Sequence, residues 1–290
     1  MSTDAPHERD LPYTDPHGRA TEVAVIGAGN MAGAIAWALA DAPGSPHLRL
    51  TTRTSAPAWA AVAPGVSHVA LEHDPGGNVA AVQGADAVIL GVKPKDIVAT
   101  AQEIADAVEP GTLVISVAAG VTVADIVAAL PEHAVVVRAM PNTPVAIGRG
   151  VTGVAVAPGA PAGTLERVRA LLAPTGDIEE VPEEVFDAFG ALVGAAPAYT
   201  YYLIEALRSA AADQGLDPDL AARALPRIIG GAAEYLSVSG REPADLRAEV
   251  TSPGGMTHAA ISTMEERGVP QTVRDAIEAA MERSRTIAKG

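Results

Sequence analysis

Between Thr21 and about Val181 the chain alternates short, continuously apolar, β-branched runs with alanine-rich stretches of helical period. The runs "EVAVIG", "LRLTT", "DAVILGV", "TLVISVA", "AVVVRAM" and "VTGVAVA" predict strands. Strands without polar alternation are covered on both faces, and the intervening helices supply that cover, so the pattern predicts a doubly wound parallel sheet over residues 21–181. After "GDIEEVP" the texture changes to long helical periods, among them "EEVFDAFGALVG", "AYTYYLIEALRSAAADQG" and "PDLAARALPRIIGGAAEYLSVSG", with no strand signal. In the last period, "PQTVRDAIEAAMERSRTIAKG", Val273, Ile277, Ala280 and Met281 share one stripe. A short all-helical module over residues 182–290 with several apolar faces is expected to bury them against a second copy of the chain.

Residues 1–20 are polar, carry prolines and lack the basic-then-apolar order of a secretory signal, so they are expected to form a disordered tail. No apolar run reaches the roughly 20 residues that span a bilayer. The absence of cysteine removes disulfides, iron–sulfur clusters and thiol nucleophiles together and agrees with a cytoplasmic location. A formal charge of −15 argues against nucleic acid or an anionic membrane as the partner, since either needs a basic face. Only three lysines occur, Lys93, Lys95 and Lys289.

"VAVIGAGNMAGAIAWALA" runs from a strand through Gly27 and Gly29 into a helix, the setting in which a Rossmann-type fold approaches the pyrophosphate of a dinucleotide. Ala32 stands at the third position of G-x-G-x-x-G, where the residue mainly permits close helix–strand packing. The second strand ends in "LRLTTRTSAPAW", without the acid that holds the ribose hydroxyls of NAD. Thr52 and Arg53 suit an added phosphate instead, so NADP(H) is favoured over NAD.

Late in the chain, "TSPGGMTHAAISTMEE" places two hydroxyls, a proline and two glycines ahead of an apolar helix. Free N–H groups at such a start suit an anion, although helix capping accounts equally well for Ser252. A nicotinamide site beside a helical domain leaves two reaction types open. Oxidation of a hydroxy acid needs a positioned base, a lysine in the helical half of dehydrogenases built this way. Here the only lysine of the second half is Lys289, the penultimate residue. Reduction of a cyclic imine asks less, because the nitrogen is protonated before hydride arrives and positioning supplies much of the rest.

The motifs "GAGNMAGAI", "LGVKP", "SVAAGVTV", "RAMPNTPVAIGRGVT" and "PADLRAEVTSPGGMTHAAISTME" together resemble those of pyrroline-5-carboxylate reductase, in order and spacing over about residues 22–287. The resemblance implies that N–H groups of Gly255, Met256 and Thr257 with the Ser252 hydroxyl grip the substrate carboxylate in the turn around Gly254. It implies that the Thr257 hydroxyl is the catalytic group facing the ring nitrogen. On the cofactor side it implies that Asn30 and Met31 cover the pyrophosphate and nicotinamide portions. Asn78 is placed near the adenosine ribose, Val92, Lys93 and Pro94 beside the nicotinamide ribose, and Met140 to Thr143, including Asn142, as a wall of the site. It further implies NADPH-dependent reduction of 1-pyrroline-5-carboxylate to L-proline, with no metal, in a homodimer or assembly of dimers whose site is completed near the dimer interface. The chain reads "GAAPAY" over Gly194–Tyr199 where the family reads "GSGPAY", and Met256 is bulkier than the usual residue. These departures keep open a reductase for another cyclic imine carboxylate, or a non-catalytic NADP-binding regulator. His68 and His73, with Glu72 and Asp74, lack metal-ligand spacing and read as a solvated face.

Overall fold

The computed structural model describes Tyr13 and residues 19–287. Eight strands, β1 Glu22–Ile26, β2 His47–Thr52, β3 Val66–Ala70, β4 Ala87–Leu90, β5 Leu113–Ser116, β6 Val135–Met140, β7 Gly150–Val156 and β8 Gly176–Glu180, form one sheet in the order β3-β2-β1-β4-β5-β6-β7-β8. Two of these, β3 ("VSHVA") and β8 ("GDIEE"), carry no continuous apolar run and lie at the two edges, where one side of a strand faces no neighbour. The sheet is also not wholly parallel, because β7 runs antiparallel to β6. Successive residues of the central strands point to opposite faces and fill two separate cores. Val23, Val25, Ile89 and Val137 pack with Ile35 and Leu39 of the helix Asn30–Ala40, while Ala24, Ile26, Val88 and Leu90 pack with Ile97, Ile104 and Ile126 on the other side.

Of residues 1–20 the structure describes Tyr13, Arg19 and Ala20; the remainder of the expected tail, and Lys289, lie outside the described residues. Tyr13 differs from that expectation. Its ring is buried in the second core, its hydroxyl donates to the Leu171 carbonyl at 3.1 Å, and burial pushes its phenol pKa up.

The chain divides into two compact units, Met1–Ala195 with Ala280–Gly290, and Ala196–Ala279. The helical texture begins near residue 182, yet the segment to residue 195 belongs with the sheet because its side chains pack there. Phe186 is fully buried, and the Phe189 ring lies where a Cβ on Gly153 of β7 would stand 2.5 Å away. Three residues spaced two apart at the end of β6 secure this exit segment. Arg138, 3% exposed, pairs with Glu183 at 2.9 Å and Asp187 at 3.3 Å and stacks on Phe186. Met140 lies under Gly190 and Gly194 of a π-helical turn, Gly190–Gly194. Asn142 donates from Nδ2 to the Val193 carbonyl at 3.3 Å and accepts the Val151 N–H at 3.0 Å. On the returning helix Val269–Ile287, the Ser284 hydroxyl donates to Asp187 at 3.0 Å.

The second unit holds the helices Ala196–Asp213, Pro218–Ser239, Pro243–Glu249 and Met256–Glu266 and the start of the last. Among its described residues only Ala221 is buried, while Tyr202, Tyr235, Val238 and Met256 are each more than half exposed. Apolar surface on that scale is the mark of an association face rather than of a free-standing domain. No helix among the described residues is long and apolar enough to cross a membrane.

Candidate functional site

Strand order reverses between β1 and β4, and the crevice at the carboxyl ends of those strands is where open α/β sheets bind ligands. The turn leaving β1 sits there. Gly27 has φ +78, and a Cβ on it would lie 2.7 Å from Val92 Cγ1 and 2.9 Å from the Val92 nitrogen. Only glycine fits. Ala32 is accommodated because the space usually vacated by a third glycine is vacated by Gly91, where an added Cβ would collide with the Ala32 methyl.

The two glycines let the backbone come close, but their own N–H groups face inward. Gly27 donates to Thr51 Oγ1 at 3.2 Å, Ala28 to the Thr51 carbonyl at 2.8 Å and Gly29 to the Gly27 carbonyl at 2.7 Å. The donors left for an anion are those of Asn30, Met31 and Ala32, in the first turn of a helix whose N-cap, Gly29, makes no side-chain cap. Behind the turn, Thr51 Oγ1 donates to Asn78 Oδ1 at 2.8 Å, and Asn78 Nδ2 donates to the two carboxylate oxygens of Glu103 at 3.2 and 3.1 Å. Asn78 is 5% exposed. Both ends of its amide are bonded within the protein, so the Asn78 side chain braces the turn from behind.

At the end of β2, Thr52 Oγ1 donates to the Ser55 carbonyl at 3.0 Å and lies 2.7 Å from His68 Nε2, so its hydroxyl shapes the loop. Partial burial holds the His68 imidazole below its usual pKa. His68 is thus partly covered and held against Thr52, whereas His73, Glu72 and Asp74 are exposed. Arg53 beside it is exposed. A groove of about 500 Å³ runs from Gly29 and Asn30 past Ser55 and Pro57 to Trp37 and Trp59. The two rings, the only tryptophans of the chain, meet edge to face with centroids 5.5 Å apart. Sequence reasoning passed over them, because nothing in their spacing joins a helix to a loop. Val92, Lys93 and Pro94 leave the carboxyl end of β4, with Val92 against Gly27 and Lys93 exposed. Asn142 and Met140, expected to wall the site, are buried under the exit segment with the Asn142 amide used at both ends. A glycine cradle that a Cβ would fill, uncapped first-turn amides and the adjoining groove fit the diphosphate of a dinucleotide.

The second unit contains a similar construction. Gly254 has φ +71, and Gly255 is the N-cap of the helix Met256–Glu266, without a side-chain cap. The Gly255 N–H donates to the Ser252 carbonyl at 2.9 Å, and the N–H groups of Met256, Thr257 and His258 in the first turn are the open donors. A Cβ on Gly255 would meet the Ser252 hydroxyl oxygen, which places that hydroxyl over the turn. Thr257 is half-buried and Met256 is 89% exposed. The "GAAP" departure strains nothing, because Ala195 is right-handed at φ −90, ψ −9 and Ala196 opens a helix.

Comparison with known proteins bears on what these two helix starts serve. A family described as pyrroline-5-carboxylate reductase dimerisation matches residues 183–287, and one described as NADP oxidoreductase coenzyme F420-dependent matches residues 22–120. The pyrroline-5-carboxylate reductase of Pseudomonas aeruginosa is 36% identical over 268 residues, 92% of this chain and 97% of that protein. The Corynebacterium melassecola enzyme of the same name is 38% identical over 215 residues, 73% of this chain and 80% of that one. The structure of a pyrroline-5-carboxylate reductase from Coxiella burnetii superposes with a TM-score of 0.80 at 31% identity, covering 93% of this chain and 99% of that one. With relatives matched over nearly their whole length and both halves of the fold accounted for, the chain belongs to the pyrroline-5-carboxylate reductase family.

Proposed function

We propose that this chain reduces 1-pyrroline-5-carboxylate to L-proline with NADPH, in the cytoplasm, as a homodimer or an assembly of dimers. The observation that carries the reading is the pair of glycine-turned, uncapped helix starts, one at Gly27–Met31 and one at Gly254–Thr257, in a chain whose relatives over nearly its full length are pyrroline-5-carboxylate reductases. Bound NADPH supplies the hydride. The first-turn amides of Asn30, Met31 and Ala32 hold the diphosphate, and Arg53 takes the 2′-phosphate, which an aspartate in its place would repel.

On the substrate side, the amides of Met256, Thr257 and His258 and the Ser252 hydroxyl receive the carboxylate. The Thr257 hydroxyl hydrogen-bonds the ring nitrogen and orients it, so that the protonated C=N accepts hydride at carbon while its π pair becomes the lone pair of a secondary amine. The reaction then asks mainly for proximity, with the imine carbon about 3–3.5 Å from the hydride donor. The bare helical unit supports a requirement for association, because among its described residues only Ala221 is buried and many large apolar side chains are exposed.

The test is purified protein with NADPH and a panel of cyclic imines, followed by nicotinamide absorbance. Turnover of 1-pyrroline-5-carboxylate is expected. Turnover confined to another imine carboxylate would replace the substrate and keep the mechanism; NADPH binding without turnover of any imine would overturn the reading.

A further inference from the structure

The direction of the hydrogen bonds behind the first glycine turn is not arbitrary, and one exposed carboxylate decides it. Glu103, on the surface of the helix Ile97–Ile104, is an acceptor at both oxygens. An asparagine amide can be turned either way round, but beside a carboxylate only its NH2 end is compatible. With Asn78 Nδ2 toward Glu103 at 3.2 and 3.1 Å, Oδ1 is fixed toward Thr51 at 2.8 Å. The Thr51 hydroxyl has one proton and gives it to Asn78, so at its other side it can only accept. What it accepts is the Gly27 N–H, at 3.2 Å.

We infer that Glu103 is a positioning residue for the dinucleotide turn, acting through Asn78 and Thr51 without touching the cofactor itself. This rests on the cofactor reading given above. Were the amide to turn over, an NH2 group would face the Thr51 hydroxyl. Thr51 would then accept from Asn78, and its own proton would either turn against the Gly27 N–H or be left without a partner in a fully buried position. Either way a buried donor behind the turn would lose its acceptor. Asn30, Met31 and Ala32 follow that turn directly, so their aim at the diphosphate depends on a side chain about twenty-five residues away from the nearest link of the relay.

The test uses the full-length protein and Glu103→Gln, which keeps the shape and lets either end of the neighbouring amide bind. Glu109→Gln, another exposed acid of the same region, is the control. Two readouts need no turnover: NADPH dissociation by fluorescence, and hydrogen exchange of the Gly27 amide without ligand. The expected result for Glu103→Gln is an NADPH Kd raised about fivefold and faster exchange at Gly27. The kcat at saturating NADPH should stay within about twofold, and the control should move neither readout. Thr51→Val, which removes the hydroxyl at nearly constant shape, should raise the Kd at least as much. The double variant should then be no worse than Thr51→Val alone, because the carboxylate acts through the hydroxyl. Additive losses, or unchanged Kd and exchange in Glu103→Gln, would overturn the relay while leaving the cofactor site standing. Wild-type protein that fails to bind NADPH would overturn both.

Discussion

The two helix starts at Gly27 and Gly254 share a design and differ in what stands behind them. Each follows a left-handed glycine, each turns the first N–H groups inward, and each leaves its first-turn amides uncapped. The first is backed by Thr51 and Asn78, both buried, and by the Val92 side chain at the centre of the sheet. The second is backed chiefly by its own turn, through the Ser252 carbonyl and hydroxyl, and open space surrounds Gly254. The difference teaches where preorganisation resides. A glycine turn set in a finished core is ready in a single chain, whereas the second turn sits in a helical unit whose packing awaits another copy.

Substitution at the two left-handed glycines should separate them most sharply. Gly27→Ala meets both the strained φ and the Val92 contact, so a loss of about 2–4 kcal/mol in denaturant unfolding is expected, together with loss of NADPH binding. Retained stability would show that the first turn is no more braced than the second. Arg53→Ala should raise the NADPH Kd about tenfold and leave the NADH Kd unchanged. An equal change for both cofactors would remove Arg53 from phosphate recognition.

On the other side of the comparison, Thr257→Ala should lower kcat/KM for the imine about tenfold with NADPH affinity unaltered. Full activity would refute a needed hydroxyl. Gly254→Ala meets only backbone strain, so a cost of about 1 kcal/mol is expected, read as weaker binding of a cyclic carboxylate inhibitor rather than as lost fold. A collapse as large as that of Gly27→Ala would erase the distinction. Smallest of all, Met256→Ala should change kcat/KM less than about twofold, as the side chain is almost wholly exposed and its amide remains in place.

Much of the sheet was legible because its central strands are buried on both faces and so are written as unbroken apolar runs. The edges escaped for the converse reason: His68 in β3 and Asp177, Glu179 and Glu180 in β8 face solvent or loops and interrupt any run. The antiparallel insertion of β7 leaves no mark in composition at all. Along the site, residue type pointed to both glycine turns and to the crevice they line, but it could not say which amides were already spent. Gly255, Asn78 and Asn142 have the chemistry of ligand contacts and are bonded internally, a matter of who the neighbours are. The place where the helical texture starts is likewise a poor guide to packing, since both phenylalanines of the chain, Phe186 and Phe189, carry the first helical turns back onto the sheet.

A consequence follows for anyone wishing to express the oligomerising region by itself. A fragment cut to residues 183–287 would begin with a benzyl side chain stripped of the hydrophobic layer it plugs and with two acids, Glu183 and Asp187, deprived of the guanidinium they neutralise. Its far end would keep the Ser284 hydroxyl attached to an aspartate no longer anchored to anything. The excision that respects the architecture keeps β6 with it, which means that the portable piece of this protein is larger than the domain its relatives define.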